Sequence, residues 1–370
     1  MNTIREHAQQ LVYRLLKLLP TDYQRDSLQT LLGLFLEAEG HPLPQSSQLK
    51  SPAALSRFLN RYAWPTRQLI RTIRRAILIQ LMQYAPQGRR PWLQVIVDLT
   101  TLEKRGKFAA FGDLLHVLNG KRGVPLVVLY LVVGPFRVPW SFRVWRGQGQ
   151  TTPVQLAIRL LDTLPKPLTK AFRLTILADS GFGSTPFLEA LRQRHYPVIV
   201  GVRYDRKLAD GRHLYDLAKP GQRVRLDGLS FPVTVAWFYL KRDGQYQQRF
   251  VLSTRRLKAA IIIWWGRRRW AIEGFFKTIK HRFGAHRFGQ QTLLGMLRWL
   301  ILCFTSFILT HWTHLAIAPK SPPDWAKAAH LARQQLCPEL VACLLVIELA
   351  RARDLLATLG LECQIQPMQI

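Results

Sequence analysis

Between residues 92 and 203 the apolar residues come in runs typical of buried β-strands, and this stretch constrains the fold more than any other. We predict five strands and two helices here. In chain order they are the strands 92–104, 124–134 and 138–147, a helix 152–164, a strand 172–184, a helix 185–195 and a strand 196–203. A purely doubly wound fold would alternate strand and helix from the start, whereas here three strands come first.

The order β-β-β-α-β-α-β predicts an α/β protein with the mixed sheet of the ribonuclease H-like fold. Residues 204–256 then interrupt it with short strands and two Asp-Gly pairs, 227–228 and 243–244, which are hairpin signals. We expect a β-rich insertion whose last strand joins the core. The predicted regions are a helical region at 1–88, the first part of the core at 89–203, the insertion at 204–256, a helix and the end of the core at 257–316, and a C-terminal helical region at 317–370.

The charge of the chain points to its class of partner. It has 53 Lys and Arg residues against 22 Asp and Glu, a formal net charge of +31. This excess favours a polyanion, and nucleic acid is the usual one. Ribosomal and membrane-surface proteins share the feature, but they are usually smaller or carry the charge in low-complexity tails, which this sequence does not contain.

The first 85 residues show helical patterns throughout. Ser51 is an N-cap candidate with Pro52 at the first helical position, and Pro65 should divide the segment into two helices. Arginines then follow at helical spacing opposite an apolar stripe. The arginines are Arg67, Arg71, Arg74 and Arg75, and the stripe is Leu69, Ile70, Ile73 and Ile77. Such a basic face suits a DNA backbone or groove. The alternative is the solvated face of a helix that only packs.

Two features bear on the compartment. Residues 293–312 approach the length of a membrane span, but Arg298 interrupts them and polar residues dilute their second half, so we predict a buried helix and no membrane. The cysteines form no Cys-x-x-Cys pair; they are Cys303, Cys337, Cys343 and Cys363. Because the N-terminus also lacks a signal-peptide cleavage pattern, we expect reduced thiols in a cytoplasmic protein.

Two aspartates close apolar runs within predicted strands. Asp98 follows the apolar run LQVIV and Asp179 follows LTILA, so each is expected at or near a strand end, where its side chain can reach solvent. In the predicted topology these two strands are neighbours, so the carboxylates can converge. The alternative is that each is only a turn residue or a helix cap.

A third acid lies in the segment RRRWAIEGFFKTIK, residues 267–280. If the segment is one helix, Arg269, Glu273 and Lys280 form one stripe beside the apolar face, at about 100° per residue. An Arg269–Glu273 helix pair would explain the spacing, but such a pair contributes only ~0.3–0.5 kcal/mol. It leaves the two strand-end aspartates unexplained in a chain this poor in acids.

Three converging carboxylates in a basic protein have a use in phosphodiester chemistry. Two Mg²⁺ ions about 3.5–4 Å apart activate a water or a 3′-hydroxyl and stabilise the leaving oxygen, and carboxylate oxygens hold them. We therefore predict Asp98, Asp179 and Glu273 as catalytic residues and metal ligands, for Mg²⁺ with Mn²⁺ as a substitute. Arg269 and Lys280 would balance the charge without metal and turn to phosphates when DNA binds.

The order Asp…Asp…Glu and the β-rich insertion before the glutamate resemble the DDE transposases of bacterial insertion sequences. The insertion-sequence-four group carries Tyr-x-x-Arg-x-x-x-Glu-x-x-x-x-x-x-Lys around its glutamate. Arg269, Glu273 and Lys280 match this spacing, whereas Gly266 occupies the tyrosine position and Trp265 precedes it. VIVDLT and LADSGFGS resemble the first two motifs of the family, and SPAALSRFLNRYAW resembles its N-terminal helical domain.

The resemblance implies a recombinase that binds inverted-repeat ends in double-stranded DNA as a homodimer, cuts there and joins the 3′-hydroxyls to target DNA. Residues 1–88 would form its DNA-binding domain. Trp264, Trp265 and Trp270 are candidates for stacking on a displaced base, with at least two of them expected in the core. Trp265 is the candidate DNA contact beside Gly266. The alternatives are a nuclease on the same fold without strand transfer, and a DNA-binding protein derived from an inactive transposase.

Overall fold

The computed structural model describes residues 3–37, 44–86, 88–105, 109–118, 120–242, 244–290 and 292–362. Its contacts divide the chain into two compact units. Unit 1 comprises Met1–Ala76 and Thr278–Ile370, and unit 2 comprises Ile77–Lys277. Both divisions between the units fall within helices, at 76–77 and at 277–278.

Unit 1 is helical. Its helices are α1 (Ile4–Lys17), α2 (Asp22–Glu37), α3 (Pro52–Asn60), the first part of α4 (Thr66–Met82), α10 (Leu293–Ile317), α11 (Trp325–Leu336), α12 (Pro338–Arg351) and α13 (Arg353–Thr358). Ser51 caps α3 by accepting a hydrogen bond from the Ala54 N–H, Pro52 is its first residue, and α3 and α4 are separated around Pro65, as predicted. Asp324 caps α11 after the turn that follows α10.

Helix α10 forms the core of unit 1. Among the described residues it is the one helix long and apolar enough to cross a membrane, but 83% of that stretch is buried within the protein. It packs against α1, α2, α3 and α11, so the prediction of a buried helix is confirmed. Buried Arg298 donates hydrogen bonds to the carbonyl oxygens of Phe58 and Leu59 and lies 4.3 Å from the ring centre of Trp64. Burial lowers its pKa to about 10.

Unit 2 is built on one mixed sheet. Its strands are β1 (Trp92–Glu103), β2 (His116–Leu118), β3 (Lys121–Val133), β4 (Phe136–Val144), β5 (Arg173–Ala178), β6 (Val198–Val202), β7 (Gln222–Val224), β8 (Val233–Arg242) and β9 (Gln245–Ser253). Their order is β2-β3-β1-β5-β6-β9-β8-β7, with β4 on β3. β1, β5 and β6 are parallel, and the other neighbours are antiparallel. This is the mixed sheet predicted from the order of elements.

The helices of unit 2 connect and cover these strands. They are α5 (Pro153–Leu161), α6 (Lys166–Ala171), α7 (Thr185–Gln193), α8 (Ala259–Arg268) and most of α9 (Ala271–His281). The insertion joins the core sheet as expected, because β9 pairs with β6. Gly228 lies in the β7–β8 connection with φ 70°, and Asp243 of the second Asp-Gly pair lies outside the described residues.

The structure bears on two further expectations, the end of the fourth predicted strand and the state of the cysteines. The strand predicted at 172–184 ends at Ala178, since a 3₁₀ turn begins at Ser180. Cys303 and Cys337 are buried and Cys343 is exposed, all of them free thiols, whereas Cys363 lies outside the described residues.

Candidate active site

Asp98 and Asp179 come together where two parallel strands part. The ladder between β1 and β5 ends with the pair Val97 and Ala178. Asp98 follows Val97 within β1, and Asp179 is the first residue after β5. The prediction that these two strands are neighbours is therefore confirmed. Asp98 lies at the end of the pairing with β5 but within β1, which continues to Glu103 along β3, one residue short of the predicted end.

Asp98 is a buried acid. Only 6% of its surface is exposed, and its Oδ1 accepts a hydrogen bond of 2.8 Å from the Leu99 N–H. Burial raises its pKa to about 7; the charge of Arg269 opposes this shift, whereas Asp179 and Glu273 add to it. A buried carboxylate surrounded by two others needs a cation close by to stay ionised.

Asp179 is exposed and held by a glycine-rich turn. Its Oδ1 accepts a hydrogen bond of 2.6 Å from the Ser180 N–H. A Cβ on Gly183 would lie 2.6 Å from the Gly201 carbonyl oxygen, and one on Gly201 would lie 3.0 Å from the Ser180 nitrogen. Only glycine allows the turn to lie this close to β6, so the two glycines fix the position of Asp179.

Glu273 lies in the first turn of α9. The prediction of one continuous helix over residues 267–280 is wrong, since α8 ends at Arg268 and α9 begins at Ala271. The joint is tight, with i to i+3 hydrogen bonds from the Ile272 N–H to Arg269 and from the Glu273 N–H to Trp270. The predicted apolar face of α9 is buried, and Phe275 stacks on Tyr130 of β3 at 4.9 Å. This contact anchors the helix that carries Glu273.

Arg269 links two of the acids. Its Nη1 donates a hydrogen bond of 2.5 Å to Oδ2 of Asp98, and its Nη2 donates one of 2.8 Å to Oε1 of Glu273. Its side chain is only 14% exposed. Burial lowers the pKa of Arg269, but the charges of Asp98, Asp179 and Glu273 outweigh this effect and raise it. The arginine is thus the counter-charge for the acids.

The tryptophans beside the joint are placed differently from expectation. Trp265 is buried, 7% exposed, and packs edge-to-face on Trp92 at 5.7 Å. Trp264 and Trp270 are 50% and 51% exposed, so the expectation that at least two of the three lie in the core is wrong. The candidate DNA contact, Trp265, therefore has its ring buried within the fold, whereas Trp264 and Trp270 are the exposed tryptophans.

Gly266, at the position where the insertion-sequence-four signature has a tyrosine, packs against β9. A Cβ there would lie 3.3 Å from both γ carbons of Val251 in β9. A tyrosine at this position would direct its side chain at the sheet, so this helix packing requires a small residue.

The remaining predicted DNA contacts lie on helices. On α4, Leu69, Ile73 and Ile77 are buried. Of the arginines on that helix, Arg67, Arg71 and Arg75 are exposed and Arg74 is partly buried. Lys280 is partly buried in the last turn of α9, seven residues after Glu273.

The acids suit a hard divalent cation by their chemistry. All three offer carboxylate oxygens, the ligands that Mg²⁺ and Mn²⁺ prefer. As they stand, no group of three or more His, Cys, Asp and Glu among the described residues lies close enough to hold a metal ion. The guanidinium of Arg269 is instead the cation that bridges Asp98 and Glu273.

Residues 93–309 match the model of a family described as the transposase DDE domain, and this stretch is more than half of the chain. The chain belongs to the transposase DDE domain family. The prediction of a DDE transposase is therefore confirmed, and the matched stretch contains all three acids. No curated protein matches the chain significantly.

A solved structure is similar to this transposase in fold. It is the cryo-EM structure of the piggyBac transposase synaptic complex with hairpin DNA, with a TM-score of 0.54 and 12% sequence identity. The match covers 99% of this chain and 84% of that chain. At this identity the likeness concerns the fold, and it supports the ribonuclease H-like class with helical flanks.

Proposed function

We propose that this transposase binds the ends of an insertion sequence, cuts the DNA there and joins the freed 3′-hydroxyls to a target. The observation that carries the proposal is the bridge from Arg269 to Asp98 and Glu273, with Asp179 beside Asp98 at the end of the parallel ladder. Three carboxylates around one buried cation match the needs of metal-assisted phosphodiester chemistry.

Asp98, Asp179 and Glu273 are the proposed metal ligands, for Mg²⁺ or Mn²⁺. When bound, such ions lower the pKa of a water or 3′-hydroxyl and stabilise the leaving oxygen. Asp98 has to be ionised for this role, and its raised pKa makes the ionised form depend on a neighbouring positive charge. Arg269 supplies that charge in the metal-free protein.

Arg269 and Lys280 are proposed to hold DNA once metal ions balance the acids. A guanidinium can pair with a phosphate in a fork, and an ammonium acts as a point charge. The exposed arginines of α4 are proposed to bind the backbone near the element ends, with residues 1–88 as the DNA-binding domain. We propose a homodimer in the DNA complex and a cytoplasmic protein of the insertion-sequence-four type, with glycine in place of the signature tyrosine.

A cleavage assay with purified protein and Mg²⁺ tests the proposal. It compares two duplexes of equal length, one with the inverted-repeat end from beside the gene and one of random sequence. Cutting at the end, followed by joining to a second duplex, is the expected result, and Asp98→Asn is the inactive control. Cutting of both duplexes without joining would indicate a nuclease. Specific end binding without cutting would indicate a DNA-binding protein derived from a transposase.

A further inference from the structure

A basic groove lies in unit 2 at the amino-terminal ends of the parallel strands. Its volume is about 420 Å³, within the range of roughly 300–1,000 Å³ typical of ligand pockets. Trp92 at the start of β1 and Arg173 at the start of β5 line it side by side, in register with each other. Arg255, just after β9, lines it too.

This groove is separate from the acids. Trp92 precedes Asp98 by six residues along β1, which corresponds to about 20 Å at ~3.3 Å per residue. The acids lie where the β1–β5 ladder ends, and the groove lies where it begins. A ligand in the groove therefore does not occupy the catalytic site.

The partly exposed ring of Trp92 lies beside two cations. It is 41% exposed. The guanidinium carbons of Arg173 and Arg255 lie 5.9 and 5.6 Å from its ring centre, and the edge-to-face contact with buried Trp265 supports it from within the fold. An indole held in place beside arginines is the arrangement on which nucleic-acid bases stack.

The groove is positively charged. Arg90 lines it and is held in place by hydrogen bonds to the carbonyl oxygens of Thr169 and Phe172. His195 also lines it and is the one non-glycine residue with a positive φ, 55°, in the described part of the chain. Among the described residues that line the groove, none is acidic. The charge therefore fits phosphates, and the ring fits a base.

We propose that this groove binds single-stranded DNA, with an unpaired base stacked on Trp92 and its phosphates against Arg173 and Arg255. Paired bases in a duplex do not expose their faces, so the exposed ring selects a single strand. The proposal goes beyond end cleavage: it gives the protein a second nucleic-acid site that works without metal.

Photo-crosslinking in excess chelator tests the site. The full-length protein is mixed with an oligothymidine of about 12 nucleotides that carries one 5-iodouracil, and the crosslinked peptides are identified by mass spectrometry. The expected result is a main crosslink at Trp92. Excess unlabelled single strand should remove this crosslink, whereas an equal amount of duplex of the same length should leave most of it in place. A main crosslink elsewhere, or equal competition by the duplex, would overturn the proposal.

Variants measure the contribution of the ring. Trp92→Ala should weaken binding of the oligonucleotide at least about fivefold, since loss of one stacked base costs ~1–3 kcal/mol. Trp92→Phe should retain most of the affinity, and Arg173→Gln and Arg255→Gln should each weaken it. The matched control is Arg212→Gln, an exposed arginine paired with Asp210. If Trp92→Ala does not fold, the Trp92→Phe, Arg173→Gln and Arg255→Gln variants test the site instead. If the two arginine variants bind the oligonucleotide as tightly as Arg212→Gln does, the site is refuted.

Discussion

Nη1 of Arg269 lies 2.5 Å from Oδ2 of Asp98, which joins two residues 171 positions apart in the chain. The same guanidinium reaches Glu273. In a metal-free protein the arginine is thus the counter-ion of the proposed metal ligands, and a divalent cation would compete with it for the same oxygens.

Replacing Arg269 by Ala should therefore destabilise the protein and strengthen its response to metal. In chelator at pH 8 we expect a loss of about 3 kcal/mol in the free energy of unfolding, because a buried charge loses its partner. Added Mn²⁺ should restore more stability in the variant than in the natural protein. Urea unfolding with and without Mn²⁺ measures both effects, with Arg212→Ala as the control. Equal Mn²⁺ effects in the variant and the natural protein would show that arginine and metal do not compete.

The three acids should be indispensable for cutting. Asp98→Asn, Asp179→Asn and Glu273→Gln should each slow cleavage of an end-containing duplex by at least about a thousandfold, since metal-assisted charge stabilisation is worth several kcal/mol. Binding of the duplex in a gel-shift assay should remain within about threefold, because the phosphates are held elsewhere. Normal cleavage by any one variant would remove that residue from the site. The surface variant Asp210→Asn is the control.

Asp98 should make the metal-free protein less stable as the pH rises. Its pKa is about 7 in the folded protein against 3.8 ordinarily, so between these values the folded state holds a proton that the unfolded state has released. Stability is then lost as the pH increases through this window, by up to roughly 4 kcal/mol. Unfolding of the natural protein and of Asp98→Asn, each measured in chelator from pH 4 to pH 8, isolates this contribution. A difference between them that stays constant with pH would contradict the assignment.

The basic face of α4 should determine much of the salt dependence of DNA binding. Changing Arg67, Arg71 and Arg75 together to Ala should reduce the slope of log affinity against log salt by about 2–3, at ~0.9 for each phosphate contact on duplex DNA. The control changes Arg203 and Arg212, whose partners are the neighbouring Asp205 and Asp210. If the salt slope of DNA binding is unchanged in the α4 variant, this face is only a solvated surface and does not contact phosphates.

Lys280 should act on DNA positioning. Lys280→Ala should fold and bind Mn²⁺, yet cut an end-containing duplex about tenfold more slowly, with less effect on random duplex, if its ammonium holds a phosphate near the cut. The exposed Lys277 on the same helix offers the matched control, Lys277→Ala. Equal and small losses for both variants on both duplexes would reduce Lys280 to general surface charge.

Periodicity predicted the sheet because each strand run is bounded by polar or glycine residues. It placed β1 at 92–104, one residue longer than the observed Trp92–Glu103. It carried β5 beyond Ala178 into the turn that begins at Ser180, since sheet pairing is a tertiary effect that an apolar run does not reveal. Likewise, the arginine-rich segment has good helix formers on both sides of Arg269, so local propensity does not show the joint there.

The bridge through Arg269 was foreseeable only in part. Helical spacing indicated the pair of Arg269 with Glu273, and the pair forms across the joint. The bond to Asp98 depends on how α8 and α9 lie on the sheet, which no local pattern in the sequence carries. The same holds for Trp265, whose burial against Trp92 follows from the packing of α8.

The division of the chain into units has a consequence for synthesis. Unit 2 is one uninterrupted stretch, Ile77–Lys277, whereas unit 1 needs both Met1–Ala76 and Thr278–Ile370. All three acids and Arg269 are therefore synthesised before the second half of the helical unit is made. At about 5–20 residues per second, the last 93 residues (278 to 370) take roughly 5–20 s to translate. When that time begins, the nascent protein already contains every side chain of the proposed catalytic site. The long core helix α10, which α1, α2 and α3 pack against, is complete only once Ile317 has been added.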